Sequence, residues 1–212
     1  PAGAPAGRSV VLCQPVRERL VVGSSQRPET LAPQTLADHP GLVRRRSGGA
    51  AVLVSPRAQC WVDVFVPSGD ELLHADVARS AWWLGEAWAR ALAALLGQQR
   101  SLGVHRGPSE RTPWSAIACF AALGPGEVTI DGRKVVGISQ RRNSGGAWLH
   151  SMALLRFDAT RLARLLCPEP AEAGQLAAEL AARATTVDLA AAALEVALLE
   201  QLPGAGAAPE RE

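Results

Sequence analysis

The chain has 212 residues, 48% of them hydrophobic, with 22 basic and 20 acidic side chains and a formal net charge of +2. That length supports one substantial core and a single catalytic-sized domain, while the balanced charge offers no extended single-sign field for a nucleic-acid backbone. No apolar run nears the roughly 18 residues that cross a bilayer, and the Pro- and Gly-punctuated start lacks the charged and apolar regions of a signal peptide, so a cytoplasmic protein without nucleic-acid or membrane partners is expected.

In chain order, residues 1–8 and 203–212 are small and polar enough to be flexible ends around a folded body over residues 9–202. Ser9 to Leu12 and Arg19 to Val22 read as short strands, Pro28 to Asp38 as a loop followed by a short helix, and Leu42 to Arg45 as a strand entering a glycine turn. Ala50 to Val54 and the alternating Cys60 to Val66 are expected to form a hairpin through Ser55-Pro56-Arg57. Asp76 to Leu96 carries Val77, Ala81, Leu84, Trp88, Leu92 and Leu95 at helical spacing, closed by Gly97. Ala116 to Ala121 is short and apolar, and Asp131-Gly132 is a hairpin turn between Glu127 to Ile130 and Lys134 to Ser139. Trp148 to Phe157 reads as a further strand, and Thr160 to Leu166 with Ala171 to Leu202 as helices, the last capped by Thr186 or Asp188. Strands in the middle and helices at the flanks, without regular alternation, give an α+β class with a mixed β-sheet packed against helices.

Cys13, Cys60, Cys119 and Cys167 form no C-x-x-C pair, which favours free thiols over a disulfide framework or structural zinc, and no His/Cys/Asp spacing suggests a metal site. Of the 22 basic residues 21 are Arg, and Lys134 is the single Lys. A lysine retained against that bias points to a role for a compact ammonium rather than a guanidinium fork. Arg44-Arg45-Arg46-Ser47-Gly48-Gly49-Ala50-Ala51-Val52 joins three guanidiniums to a turn with almost no side chains, the makings of an anion-cradling loop or of a solvated basic turn. In Asp131-Gly132-Arg133-Lys134-Val135-Val136-Gly137-Ile138-Ser139-Gln140, simple alternation puts Lys134, Val136 and Ile138 on one face. An ammonium over a cleft polarises an acyl carbonyl or steadies a leaving phosphate. Cys119, flanked by Ala118 and Phe120, reads by itself as a small core residue.

Taken together, Arg44 to Val52, Gly132 to Gln140 and Trp148-Leu149-His150-Ser151 resemble, in order and spacing from about Val22 to Phe157, the lipoate-protein ligase family. The resemblance implies a single biotin/lipoate-ligase-like catalytic domain in which lipoate lies in an apolar tunnel and the ATP α-phosphate meets the Arg-Gly loop. Carried over by position, Arg45, Ala50, Ala51, Val52, Leu53 and Lys134 look like nucleotide contacts, Ser47, Gly48, Gly49, Lys134, Gly137 and His150 like lipoate contacts, and Lys134 like the residue touching both. Ala50 stands where the family has a third glycine and adds a methyl at the ligand's approach. Ser151 replaces a glycine and is expected to narrow or reshape the tunnel. The Cys119-Phe120 pair, fifteen residues before Lys134, resembles the octanoyltransferase branch of the superfamily, where such a cysteine carries the acyl group as a thioester; the chemistry needs a thiolate, which a nearby Lys134 favours.

The implied function is activation of lipoate or octanoate with ATP and Mg2+ and transfer to a lysine of a lipoyl-domain protein, such as the E2 subunit of a 2-oxoacid dehydrogenase or the glycine cleavage H protein. The alternatives are octanoyl transfer from acyl carrier protein through Cys119 without a cofactor, and a non-catalytic lipoyl-binding relative. A separate accessory subunit is a further possible partner on this resemblance.

Overall fold

The alternation between Cys60 and Val66 fixes which side of the main sheet faces the core. In the strand β5 (Gln59–Pro67), Val62, Val64 and Val66 are buried on one face while Trp61 and Asp63 stay half-buried on the other. The computed structural model describes residues 5, 7–27, 31, 35, 41–97 and 100–204. The loop and helix expected over 28–38, and most of the two expected flexible ends, lie outside these residues.

Around β5 assembles an antiparallel sheet in the order β1-β5-β9-β8-β7-β6, with β1 at Ser9–Cys13, β6 at Leu102–Val104, β7 at Val128–Ile130, β8 at Arg133–Asn143 and β9 at Gly146–Leu154. A smaller mixed sheet has β2 (Arg19–Val22) between β3 (Leu42–Arg44), parallel to it, and β4 (Val52–Val54), antiparallel. The helices are α1 (Trp82–Leu96), α2 (Ala159–Leu166), α3 (Pro170–Arg183) and α4 (Ala191–Gln201). This is the expected α+β architecture of a mixed β-structure packed with helices.

Two cores follow from the two faces of the large sheet. On one, Val62, Val64, Leu149 and Ala153 pack against Leu84, Trp88 and Leu92 of α1 and Leu194 and Leu198 of α4; each fully buried leucine there contributes roughly 1.5–3 kcal/mol. On the other, Leu20, Val52, Phe120, Met152 and Leu154 meet Leu162, Leu176 and Leu180 of α2 and α3. Among the described residues no helix is long and apolar enough to cross a membrane.

Several sequence expectations are corrected. β4 and β5 are not a hairpin: β4 pairs with β2, and β5 with β1 and β9. The α-helix begins at Trp82, since Asp76 accepts from the backbone N–H of Ala78 and Arg79 and starts a tighter 3-10 turn over Arg79–Ala81; Val77 is left 55% exposed. The C-terminal region is two helices, and α4 begins after Ala190 with no side-chain cap from Thr186 or Asp188, because the intervening backbone pairs with strands: Thr185 N–H donates to Lys134 and Val187 N–H to Leu154.

Two further corrections bear on the site. The turn at Asp131-Gly132 forms with both residues at positive φ, 51° and 77°, but a bulge follows: Thr129 faces Lys134 while Val128 faces Val136. The extra residue resets the alternation, so Lys134 shares the face of Gly137 rather than that of Val136. Ser151 does not narrow any tunnel. It points into the first core, where its hydroxyl accepts from Trp88 Nε1 at 2.9 Å and donates to the Val62 carbonyl at 2.7 Å. Ser151→Gly therefore orphans a buried indole N–H, and a loss of about 1–3 kcal/mol is expected, read as a fall of several degrees in the thermal midpoint with acyl-chain preference unchanged.

Candidate active site

Between the two sheets lies a cavity of about 460 Å3, within the size range of small-molecule sites. The large sheet supplies Val11, Trp61, Asp63, Gly137, Ile138, Ser139, Arg141, Trp148, His150 and Met152; the small sheet and its loop supply Val21, Arg44, Arg45, Arg46, Ser47, Val52 and Val54; Cys119 and Phe120 complete the lining. The walls are mainly apolar, with a few convergent polar groups.

The Arg-Gly loop is built by its own arginines. Arg44 donates to the carbonyls of Gly23, Ser24 and Gln26, and Arg45 to those of Gly48 and Ala50 at 3.1 and 2.8 Å. Glycine is required at two points: Gly49 has φ +94°, and a Cβ on Gly23 of the facing segment would sit 1.6 Å from the Gly49 carbonyl. Ser47, 1% exposed, reaches across to Ser139 with a 3.0 Å hydroxyl contact that ties the two sheets. Arg46 and Arg141 make no hydrogen bond or ion pair among the described residues, so theirs are the guanidiniums at the cavity available to an anion.

The Cys119 turn is suspended between distant segments. Ala51 N–H donates to Ile117 and Cys119 N–H to Ala51, stitching the turn to the Arg-Gly loop. Below it, Lys134 uses all three ammonium hydrogens: Nζ donates to the carbonyls of Cys119 at 2.8 Å and Ala122 at 3.1 Å and pairs with Glu127 Oε2 at 2.6 Å. Lys134 is 2% exposed and Glu127 4%. The carboxylate also accepts from the N–H of Gly124 and of Ile138. The Phe120 ring lies 4.8 Å from the ammonium, and a Cβ on Gly137 would sit 3.3 Å from Phe120 Cζ and 3.5 Å from Lys134 Cε, so the glycine lets strand and turn close together.

On the opposite side of the cavity, β5 and β9 put Asp63 directly across from His150. Asp63 accepts from His150 Nδ1 at 2.8 Å and from Trp61 Nε1 at 2.6 Å, and the imidazole lies nearly parallel to the Trp148 ring, 12° between planes.

The expected contacts therefore separate. Arg45, Ser47, Val52, Cys119, Gly137 and His150 line the cavity; Gly48, Gly49, Ala50, Ala51 and Leu53 form the loop and strand behind it, and Lys134 lies beneath the Cys119 turn. Ala50 does not intrude on the cavity. Missed from the sequence were Asp63, Trp61, Arg141 and Glu127. A carboxylate in the middle of an apolar alternating strand was a signal for Asp63; nothing in the sequence pairs Glu127 with Lys134. Of the four cysteines, Cys119 alone lines this cavity. Burial pushes the thiols of Cys13 and Cys60 up to about 12, and raises that of Cys167. Among the described residues no group of three or more His, Cys, Asp or Glu stands where it can hold a metal ion.

Residues 4–198 match the family described as the lipoyl protein ligase A/B catalytic domain. The chain is 26% identical over 140 residues to the octanoyltransferase LipM of Clostridioides difficile, covering 66% of this chain and 50% of the relative. It is 30% identical over 149 residues to the octanoyltransferase LipM of Symbiobacterium thermophilum, covering 69% and 53%. The chain thus spans about half the length of the curated relatives it matches. Among solved structures, a bipartite lipoate protein ligase from Thermoplasma acidophilum, described with its E2 lipoyl domain, aligns with a TM-score of 0.67 over 92% of this chain and 69% of that one at 17% identity, a likeness of fold.

Two measurements test the geometry. Lys134→Met leaves Glu127 buried and uncompensated, so a loss of roughly 3–5 kcal/mol is expected; denaturant unfolding of Lys134→Met, Glu127→Leu and the double variant should show the double variant more stable than Lys134→Met. With a thiol at about 12 only about one molecule in ten thousand is thiolate at pH 8, so brief iodoacetamide treatment followed by peptide mass mapping should label Cys119 well before Cys13, Cys60 or Cys167.

Proposed function

Because the chain belongs to the lipoyl protein ligase A/B catalytic-domain family, we propose that it is an enzyme that transfers an octanoyl or lipoyl group to a lysine of a lipoyl-domain protein, carrying it as a thioester on Cys119. The observation that carries this reading is that Cys119, alone of the four cysteines, faces the mainly apolar cavity, on a turn pinned at its own carbonyl by Lys134. The two LipM relatives, both called octanoyltransferases, support octanoyl as the group transferred.

In the first step the Cys119 thiolate attacks the carbonyl of an acyl thioester on a carrier protein. The donor's C–S bond breaks as the new one forms, and the carrier thiol leaves with the proton that Cys119 gave up. In the second step the acceptor lysine amine attacks the Cys119 thioester, the amide bond forms as the C–S bond breaks, and the sulfur leaves with the proton the amine gives up. No cofactor is consumed. The acyl chain lies between the sheets against Val11, Val52, Trp61 and Met152, and Lys134 acts as a positioning residue that holds the nucleophile's turn. Acceptors of this chemistry are E2 subunits of 2-oxoacid dehydrogenases and the glycine cleavage H protein. We expect the reaction in the cytoplasm, where the thiol stays reduced.

A second reading rests on Arg46 and Arg141. Their guanidiniums, unengaged among the described residues and lining the cavity, suit a nucleotide phosphate, which favours activation of the free acid by ATP and Mg2+ before transfer. Arg45 would then serve by shaping the loop, since its N–H groups are held by Gly48 and Ala50.

Octanoyl-acyl carrier protein without ATP, and octanoate with Mg-ATP, should be compared in parallel with a purified lipoyl domain, weighing the acceptor by intact mass spectrometry. The acceptor is expected to gain acyl mass from the carrier donor, with Cys119→Ala at least about a thousandfold slower. Gain only with ATP establishes the second reading, and gain from neither donor leaves a lipoyl-binding protein.

A further inference from the structure

Transfer to lysine raises a problem that the groups around Cys119 do not solve. An acceptor lysine has an ordinary pKa of about 10.4 and arrives as an ammonium with no lone pair, so something must remove a proton before it attacks. Lys134 is itself an ammonium with every hydrogen engaged, and it is not part of the cavity lining. The lining arginines are not bases. Cys119 holds the acyl group.

The remaining titratable groups on the lining are Asp63 and His150. Asp63 already accepts from Trp61 Nε1 and His150 Nδ1. Because an ionised carboxylate can only accept, the bond fixes hydrogen on Nδ1, and in the neutral ring the lone pair is then on Nε2. His150 stands opposite Ser139 on β8, two residues along from Gly137, which abuts Phe120 next to Cys119. Both His150 and Cys119 line the same cavity, so an amine that reaches the acyl group on Cys119 enters the space the imidazole faces.

We propose that His150, oriented by Asp63, is the proton acceptor for the attacking lysine. One ammonium N–H bond breaks and its proton goes to His150 Nε2; the freed lone pair attacks the acyl carbonyl, and as the adduct collapses to the amide the bond to the leaving group breaks and the nitrogen's second proton departs with that group, the Cys119 thiolate leaving as the thiol. The imidazolium then returns its proton to solvent. Asp63 is a positioning residue. This inference rests on the acyl-transfer reading but not on the thioester route, since attack on an acyl adenylate needs the same deprotonation.

The test separates the base from the pocket wall. Wild type, His150→Gln and Asp63→Asn are acylated with octanoyl-acyl carrier protein, and loss of the thioester is followed in single turnover with a lipoyl domain or with hydroxylamine, a nucleophile already neutral near pH 7. His150→Gln is expected to accept the acyl group and react with hydroxylamine as wild type does, yet to transfer to the lipoyl domain on the order of a hundredfold more slowly; Asp63→Asn should lose about tenfold or more in the same step alone. Equal slowing toward both nucleophiles, or undiminished transfer to the lipoyl domain by His150→Gln, overturns the proposal. If wild type forms no thioester, the thioester route fails, and the same comparison started from octanoyl adenylate decides the role of His150. Failure of transfer from both overturns the acyl-transfer reading and this inference together. Nitrogen-15 NMR of the wild-type protein gives a readout independent of turnover and of variant folding: hydrogen on Nδ1 supports the assignment, and hydrogen on Nε2 of the neutral ring overturns it.

Discussion

The buried pairing of Lys134 with Glu127 is the constraint on which the rest of the site depends. Two charges withdrawn from water are tolerated only when their remaining hydrogen-bonding capacity is met, and here Glu127 takes two backbone N–H groups while Lys134 gives to two backbone carbonyls. One of those carbonyls belongs to Cys119. The pair thereby clamps β8, the segment leading into β7, and the turn bearing the thiol to one another. A compact ammonium suits this clamp because its tetrahedral hydrogens reach three acceptors clustered around one point, which a planar guanidinium cannot match.

The cavity is a product of two sheets that share no strand. Their separation is held by few contacts, among them the Ser47 to Ser139 hydroxyl pair and the backbone exchange between Ala51 and the 117–119 segment. Arg44 and Arg45 turn inward on backbone carbonyls, leaving Arg46 and Arg141 as the uncommitted positive charge at the cavity among the described residues. Strand alternation then divides neighbouring residues between two jobs: His150 faces the cavity with Asp63, while Ser151 seals the core against Trp88.

Much of this was legible in the sequence, where a local rule governed. The Asp131-Gly132 turn, the strands on either side of it, the Arg-Gly loop and the single Lys all announce themselves within a few residues. What escaped was set by contacts distant in the chain. Ala50 to Val54 and Cys60 to Val66 look like a hairpin because they are adjacent, yet each finds a better partner elsewhere. The bulge opposite Val128 and Thr129 turns Lys134 to the face of Gly137, against the simple alternation of period two, and no residue type marks it. Asp63 and His150 are 87 positions apart, so only the register of β5 against β9 brings carboxylate and imidazole together.

The suspension of the Cys119 turn has a consequence for how the protein is made. Its supports come from residues 51, 127 and 134, and the β8 and β9 backbones are completed by Thr185 and Val187. Contacts of such long range form late, after the loops between them have closed. A chain still emerging from the ribosome therefore carries Cys119 for many residues before the frame around it can assemble. The nucleophile acquires its surroundings only when the last third of the chain has arrived, and a truncated product has the thiol without the site.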